Sequence, residues 1–371
     1  MRQRVKANIN LKALTNNLEV ARTYAQNYAN NRKIVAVIKA NAYGHGLIPA
    51  AEALQAADIY GVTDIDEADQ LAASGPDKPI LILQGIIERT DIGRIAKAGY
   101  QVVIHHLQQL AWLEEELSNI KLAQPLSLWL KMNSGMGRLG IQPADYVKAF
   151  QNLQSKVWCK EIILLTHLAN GNLIDSTLNQ QQLAIFDKTA KQIPEAATSI
   201  PASSGLLAGF GDNTDWVRPG IMLYGSSPFP YANENLRRET FGLQAVMTLE
   251  SKIISIQNCK AGDSVGYCSQ FICPQDMRIG IVSIGYADGY PSNAPNGTPV
   301  LVNGKRTGTV GRVSMDMIGI DLSKHAQANI GDTVTLWGDE LSLDEVAEHT
   351  GILSYNLTCS ISPRVEKVYS N

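Results

Sequence analysis

Through the first two thirds of the chain, short apolar runs alternate with stretches whose apolar residues recur at helical spacing. The clearest run, 34–38 (Ile-Val-Ala-Val-Ile), is apolar on both faces, as a parallel strand covered on both sides must be. Comparable runs fall at 59–63, 80–84, 101–104, 126–130, 162–166, 199–202 and 217–223. Helical spacing marks 11–29 (Leu11, Leu14, Leu18, Ala21, Ala25), 47–57, 65–73, 107–117, 143–153 and 180–193. Pro49 lies near the first turn of 47–57, where proline is tolerated. Strand-then-helix units, eight of them over roughly 200 residues, predict a (β/α)8 barrel. A doubly wound open sheet is the competing arrangement, and the count of eight favours closure.

Near residue 240 the texture changes. Helical periodicity gives way to short β-rich runs at 243–256, 278–284, 299–302, 305–310, 317–321 and 333–337, separated by turn signals such as Gly262-Asp263, Asn296-Gly297 and Gly331-Asp332. Asn303-Gly304 between two such runs predicts a tight hairpin. Only 343–350 and 355–359 read as helical. The expected fold is therefore α/β: an N-terminal (β/α)8 TIM-type barrel over 10–240, then a mainly β C-terminal domain over 241–371. Residues 1–9, with a strand over 3–9, are expected to pair with the second domain.

Composition narrows the function classes. A 45% apolar content supplies a sizeable core for 371 residues, and a net charge of -3 gives no basic footprint for nucleic acid. No apolar run reaches the length of a membrane span, and no signal-peptide core follows the basic start, so a cytoplasmic protein is expected. The five cysteines (Cys159, Cys259, Cys268, Cys273, Cys359) show no paired C-x-x-C spacing; they read as free thiols, with no metal site.

In a barrel the residues just past each strand share one mouth. Those positions hold Lys39 after the first strand, Lys131 and then Arg138 after the fifth, His167 after the sixth, Ser203-Ser204-Gly205 after the seventh, and Arg218 in the eighth. Several cations, an imidazole and glycine-rich turns in one space suit an anionic ligand. Backbone amides at Ser204-Gly205 and Arg218-Pro219-Gly220 can approach a phosphate, and a desolvated Lys39 amine would be a usable nucleophile. An amine beside a phosphate clamp is what pyridoxal 5'-phosphate needs. Each residue also has a plain reading: Lys39 as a strand-end lysine, His167 as a core histidine, Arg218 as an ion-pair arginine, Ser204 as a helix cap.

The motifs VIKANAYGHG, KMNSGMGRLG and VRPGIMLYG in the barrel, and VGYCSQF, IGYADGYP, VGRVSMD and CSISPRV beyond it, occur in the order found in one family. From Lys6 almost to its end the chain resembles alanine racemase, a family with a pyridoxal-phosphate-binding barrel and a C-terminal β-domain. The resemblance implies an enzyme that interconverts L- and D-alanine with two bases, Lys39 on one face of Cα and Tyr267, from the other subunit of a homodimer, on the opposite face. It implies that Lys39 also bonds the cofactor, with His167 and Arg218 beside it. Tyr43, Ser204, Gly220, Ile221 and Tyr355 would hold the phosphate. Arg138 and Met315 would bind the substrate carboxylate, and Lys131 would match a lysine carried as its N6-carboxy derivative. D-alanine would be supplied for peptidoglycan or alanine fed into catabolism. A broader amino-acid racemase, a decarboxylase of the same architecture and a non-catalytic cofactor carrier are the rivals; the carrier predicts a barrel without the second domain.

Three positions depart from the family pattern. Ser203 stands where asparagine is usual, which puts one phosphate-side contact in doubt. Cys268 replaces a usual glycine, so its backbone is expected to avoid glycine-only angles. Ser292 replaces an arginine of the substrate gate.

Overall fold

The computed structural model describes residues 4–27, 31–75, 78–118, 122 and 124–371. They form two compact units: Leu18–Ala42 with Ala50–Leu223, and Met1–Asn17 with Tyr43–Pro49 and Tyr224–Asn371.

The first unit is a closed barrel of eight parallel strands: Lys33–Val37, Ile59–Val62, Ile80–Ile82, Gln101–Ile104, Leu126–Lys131, Cys159–Leu165, Thr198–Ala202 and Trp216–Arg218. The open-sheet alternative is thereby excluded, because Lys33 and Ile34 of the first strand pair with Trp216 and Val217 of the eighth. Val35, Ile59, Leu81, Val103, Trp129, Ile163, Leu165 and Trp216 fill one core cluster. The Trp129 and Trp216 rings meet edge-on at 5.3 Å. These residues come from seven of the eight strands, with Ile163 and Leu165 on the same one, and burial on this scale stabilises by about 1.5–3 kcal/mol for a large side chain.

Two elements differ from expectation. The run 217–223 is not one strand: it ends at Arg218, and Ile221–Tyr224 is a 3₁₀ turn. Pro219 has no N–H to continue a ladder; its carbonyl instead accepts from Val37 N at 3.0 Å. The first helix is Leu11–Gln26; positions 28 and 29 of its expected span lie outside the described residues.

The second unit carries an eight-stranded sheet in the order Met277–Val282, Ile318–Asp321, Lys305–Val310, Pro299–Val302, Thr333–Trp337, Met247–Cys259, Lys6–Asn10, Glu366–Ser370. Met277–Val282 also pairs with the long Met247–Cys259, which turns the sheet back on itself. Lys6–Asn10 runs antiparallel to Met247–Cys259 and parallel to Glu366–Ser370. The hairpin at Asn303-Gly304 is present, with φ of 47° and 76° at its two turn residues, the positive pair that a right-twisted hairpin requires. Leu343–Thr350 and Ser354–Cys359 are helices.

Candidate active site

The barrel mouth begins with a strained turn. After the first strand, Ala40, Asn41, Ala42 and Tyr43 all lie at φ of 53–54°, four successive non-glycine residues in the left-handed region. Such a residue costs about 1–2 kcal/mol, so its neighbours must hold it. Ala42 N bonds Ile38 O at 2.8 Å, and Asn41 N bonds Glu67 Oε1 at 3.0 Å. Glu67 Oε2 also accepts from Thr63 N at 2.8 Å, so one carboxylate ties this turn to the end of the second strand. Sequence reading missed Glu67. Asp64 and Glu67 do form a helix-start signature, but nothing in it points to Asn41. Lys39 itself is exposed, so the partial desolvation expected for its amine does not come from packing at that position.

Arg218 is the fixed centre of the mouth. It is buried, and its guanidinium donates to Thr166 O at 2.8 Å, Ile200 O at 3.0 Å and Ser199 Oγ, with His167 Nδ1 at 3.5 Å. These partners are neutral oxygens and an imidazole, so the ion-pair reading of Arg218 does not apply to these contacts. Ser199 and Thr166 went unrecognised beforehand, being ordinary strand residues. His167 is held well below the usual imidazole range, first by burial and then by Arg218, Lys131, Arg138 and Lys39. It is neutral, and its carbonyl is fixed by Gln182 Nε2 at 3.1 Å.

Lys131 is buried, and burial followed by Arg218, Arg138 and Lys39 brings it down to about 8. The loop beyond it folds back on its own strand. Asn133 Oδ1 accepts from Gly135 N at 3.2 Å and Gly137 N at 3.0 Å, while Ile141 N returns to Lys131 O at 2.8 Å. A Cβ on Gly140 would lie 2.3 Å from Asn133 N, so only glycine closes this loop, which leaves Arg138 exposed.

Ser203, where asparagine is usual, holds the backbone after the eighth strand. Its buried Oγ accepts from Gly220 N at 2.9 Å and Met222 N at 3.3 Å. The Gly220 amide is therefore engaged by Ser203, while Ile221 is buried beside it. A Cβ on Gly171 would come within 2.6 Å of Ser204 Oγ, so glycine there leaves room at that hydroxyl.

In the β unit, the ring of buried Tyr43 lies 4.6 Å from Tyr224 and 5.9 Å from Tyr355. Burial, then Tyr355 and Cys359, raises the Tyr43 pKa; burial, then Asp344, pushes Tyr355 up to about 12. Both hydroxyls stay protonated and can donate to an anion. Tyr267 is 68% exposed on a turn between the short strands Ser264–Val265 and Phe271–Ile272, and Met315 is 54% exposed. Cys268 sits at φ 59°, left-handed but open to L-residues, with its sulfur 3.8 Å from Arg312. Ser292 lines a cleft of about 570 Å³ with Gln270, Asn293, Asn296 and Arg312.

Comparison with known proteins decides the family. Residues 9–228 match the family model for the alanine racemase N-terminal domain, and residues 246–369 match that for the C-terminal domain. The chain belongs to the alanine racemase family. It is 43% identical over 365 residues to a catabolic alanine racemase of Pseudomonas putida, covering 98% of each chain. It is 42% identical over 363 residues to an alanine racemase of Yersinia pestis, covering 96% of each. Among solved structures it resembles the biosynthetic alanine racemase of Pseudomonas aeruginosa, with a TM-score of 0.92 and 37% identity over all of both chains. It also resembles a Bartonella henselae alanine racemase with covalently bound pyridoxal phosphate, with a TM-score of 0.87 and 29% identity over 99% of each chain. Alanine racemases with catabolic and biosynthetic names thus both stand near this sequence.

Proposed function

We propose that this chain is a pyridoxal-phosphate-dependent enzyme that interconverts L- and D-alanine, with Lys39 and Tyr267 as bases on opposite faces of Cα. The observation that carries the reading is the convergence of cations at the strand ends. Lys39, Arg138 and Arg218 act on Lys131, and all four act on His167, each adding to the cost of a further positive charge there. Such a cluster fits a doubly anionic phosphate and an amino-acid carboxylate.

The donor set suits the cofactor. Lys39 supplies the exposed amine that bonds its aldehyde. By family resemblance the Tyr43, Tyr355 and Ser204 hydroxyls and the Gly220–Ile221 backbone would supply phosphate donors; the Gly220 amide already donates to Ser203 Oγ. When bound, pyridoxal phosphate would supply an electron sink that acidifies the Cα–H of the amino acid. Arg218 donates hydrogen bonds and does not give up its proton, so a pyridine nitrogen facing it would stay unprotonated. That moderates electron withdrawal and favours return of the proton to Cα over side reactions.

Two bases are needed because a proton taken from one face must be replaced on the other. Tyrosine is a weak base near its ordinary pKa of about 10, so Arg138 is assigned both to the substrate carboxylate and to the Tyr267 phenolate. Lys131, brought down to about 8 and so more readily deprotonated than an ordinary lysine, is the candidate for carbamate formation; the anion would then steady Arg138. Tyr267 and Met315 stand out from the β unit as exposed apolar-bodied side chains, which supports their donation to a second copy in a homodimer. Met315 would lie at the carboxylate end. Cytoplasmic residence belongs to the same proposal; among the described residues no helix is long and apolar enough to cross a membrane.

A broader substrate range has one observation in its favour, the polar cleft at Ser292. The test is an absorbance spectrum of the purified protein and then alanine in deuterated water. The reading expects a cofactor band that Lys39→Ala removes, with deuterium at Cα and loss of optical rotation. A band without exchange on alanine, but with exchange on larger amino acids, favours the broader range. No band overturns the cofactor assignment.

A further inference from the structure

The β unit holds a closed set of charges that the proposed chemistry does not use. Asp288 is buried, with 1% of its side chain exposed, and its Oδ1 receives Arg4 at 2.7 Å and Arg364 Nε at 2.8 Å. Its Oδ2 receives Gly285 N at 2.9 Å. Asp316 pairs with Arg364, and with Arg4 at 3.4 Å. Two arginines thus each span two aspartates, and the four come from parts of the chain up to 360 positions apart, Arg4 and Arg364 being the extremes.

We propose that this Arg4–Asp288–Arg364–Asp316 ring is a positioning device that fixes the backbone carrying Met315 and so sets the grip on the alanine carboxylate; the last step rests on the reading of Met315 given above. The backbone around Met315 is held on every carbonyl. Ser314 O accepts from Tyr286 N at 3.1 Å, Met315 O from Ala287 N at 2.9 Å, and Asp316 O from Arg4 at 3.2 Å. Ser314 N closes the same turn onto Met317 O at 2.9 Å. The donors Tyr286 and Ala287 lie in the turn that Asp288 pins through Gly285, and Ser362 N holds Asp288 O at 3.1 Å. The two turns lie so close that a Cβ on Gly285 would be 2.3 Å from Ser314 O and 2.4 Å from Met315 O. The exposed Met315 side chain therefore stands on a framework whose position is dictated by the ring. Asp288, buried, cannot release its arginines without leaving an uncompensated charge, so the framework has one low-energy position.

The test uses the cofactor-loaded enzyme with Asp316→Asn, Arg364→Lys and Arg364→Gln; neither side chain is buried, so each variant is expected to fold. Two readouts are combined: hydrogen exchange at the Tyr286 and Ala287 amides, and KM separated from kcat for alanine. The ring predicts exchange faster by at least about tenfold, KM raised about tenfold and kcat changed less than about twofold, with cofactor loading unaltered. Arg364→Lys keeps the charge but loses the fork, and falls between the parent and Arg364→Gln. Unchanged exchange overturns the proposal, and so does a lower melting temperature with KM unmoved, which would make the ring a stability feature alone. A parent enzyme that binds the cofactor but racemises nothing overturns the functional reading instead; amide exchange still decides whether the ring holds the Met315 backbone.

Discussion

Two clusters of charge in this molecule are built on opposite plans. At the barrel strand ends Lys39, Lys131, Arg138 and Arg218 all act on His167, and Arg218 is fixed by Thr166 O, Ile200 O, Ser199 Oγ and the neutral His167. In the β unit Arg4 and Arg364 are matched by Asp288 and Asp316. Neutral oxygens hold a guanidinium still without consuming its charge, so that charge remains for a ligand. Paired carboxylates consume it, and what remains is geometry. A guanidinium held by neutral oxygens is therefore suited to bind, and one held by carboxylates to place.

The largest expected break of this contrast is Lys39→Ala, which should abolish racemisation by more than about 10⁴-fold and remove the cofactor band, since no other side chain is assigned to bond the cofactor. Arg218→Gln comes next. It strips the donor from two buried carbonyls and should lower unfolding free energy by about 2–4 kcal/mol in urea titrations, with a fall in cofactor affinity. A finding that stability is untouched would mean the carbonyls recruit water and that Arg218 is not the anchor described.

Lys131 sharpens the comparison through pH. Burial holds it at about 8 in the folded chain against its ordinary 10.5. Between those values the folded form carries fewer protons than the unfolded one, so stability should rise with pH across that window, and Lys131→Gln should flatten the rise. An enzyme already carrying a carbamate at Lys131 lacks this slope and shows the mass of one added carbon dioxide. The smallest effect is at His167, whose ring should titrate by NMR well below the ordinary imidazole range, because burial and the surrounding cations disfavour its charge.

How much of this could be read beforehand depended on whether a residue's role was local. The barrel was legible because strands apolar on both faces have few other uses, and Asn303-Gly304 announced its hairpin through backbone angles other residues resist. Lys131, His167 and Arg218 could be picked out as strand-end residues, and the structure brings them together. Pro219 was the signal that 217–223 could not be one strand, but the apolar run outweighed it. Nothing local announced the left-handed turn over 40–43, since no glycine marks it and its support comes from Glu67. Tyr267 and Met315, on exposed turns without periodicity, were accessible only through family resemblance. The Arg4–Asp288 pair spans 284 positions, beyond any window of pattern reading.

The most direct test of the central claim is solvent-deuterium incorporation at Cα by the Tyr267→Phe enzyme, started separately from L- and D-alanine. Two bases on opposite faces predict a fall of about 10²–10⁴ in racemisation, equal in kcat/KM from either enantiomer because their equilibrium constant is one, with deuterium exchange lost mainly from L-alanine while Lys39 still exchanges the proton on its own face. Equal and undiminished exchange and racemisation from both enantiomers would contradict the two-base account.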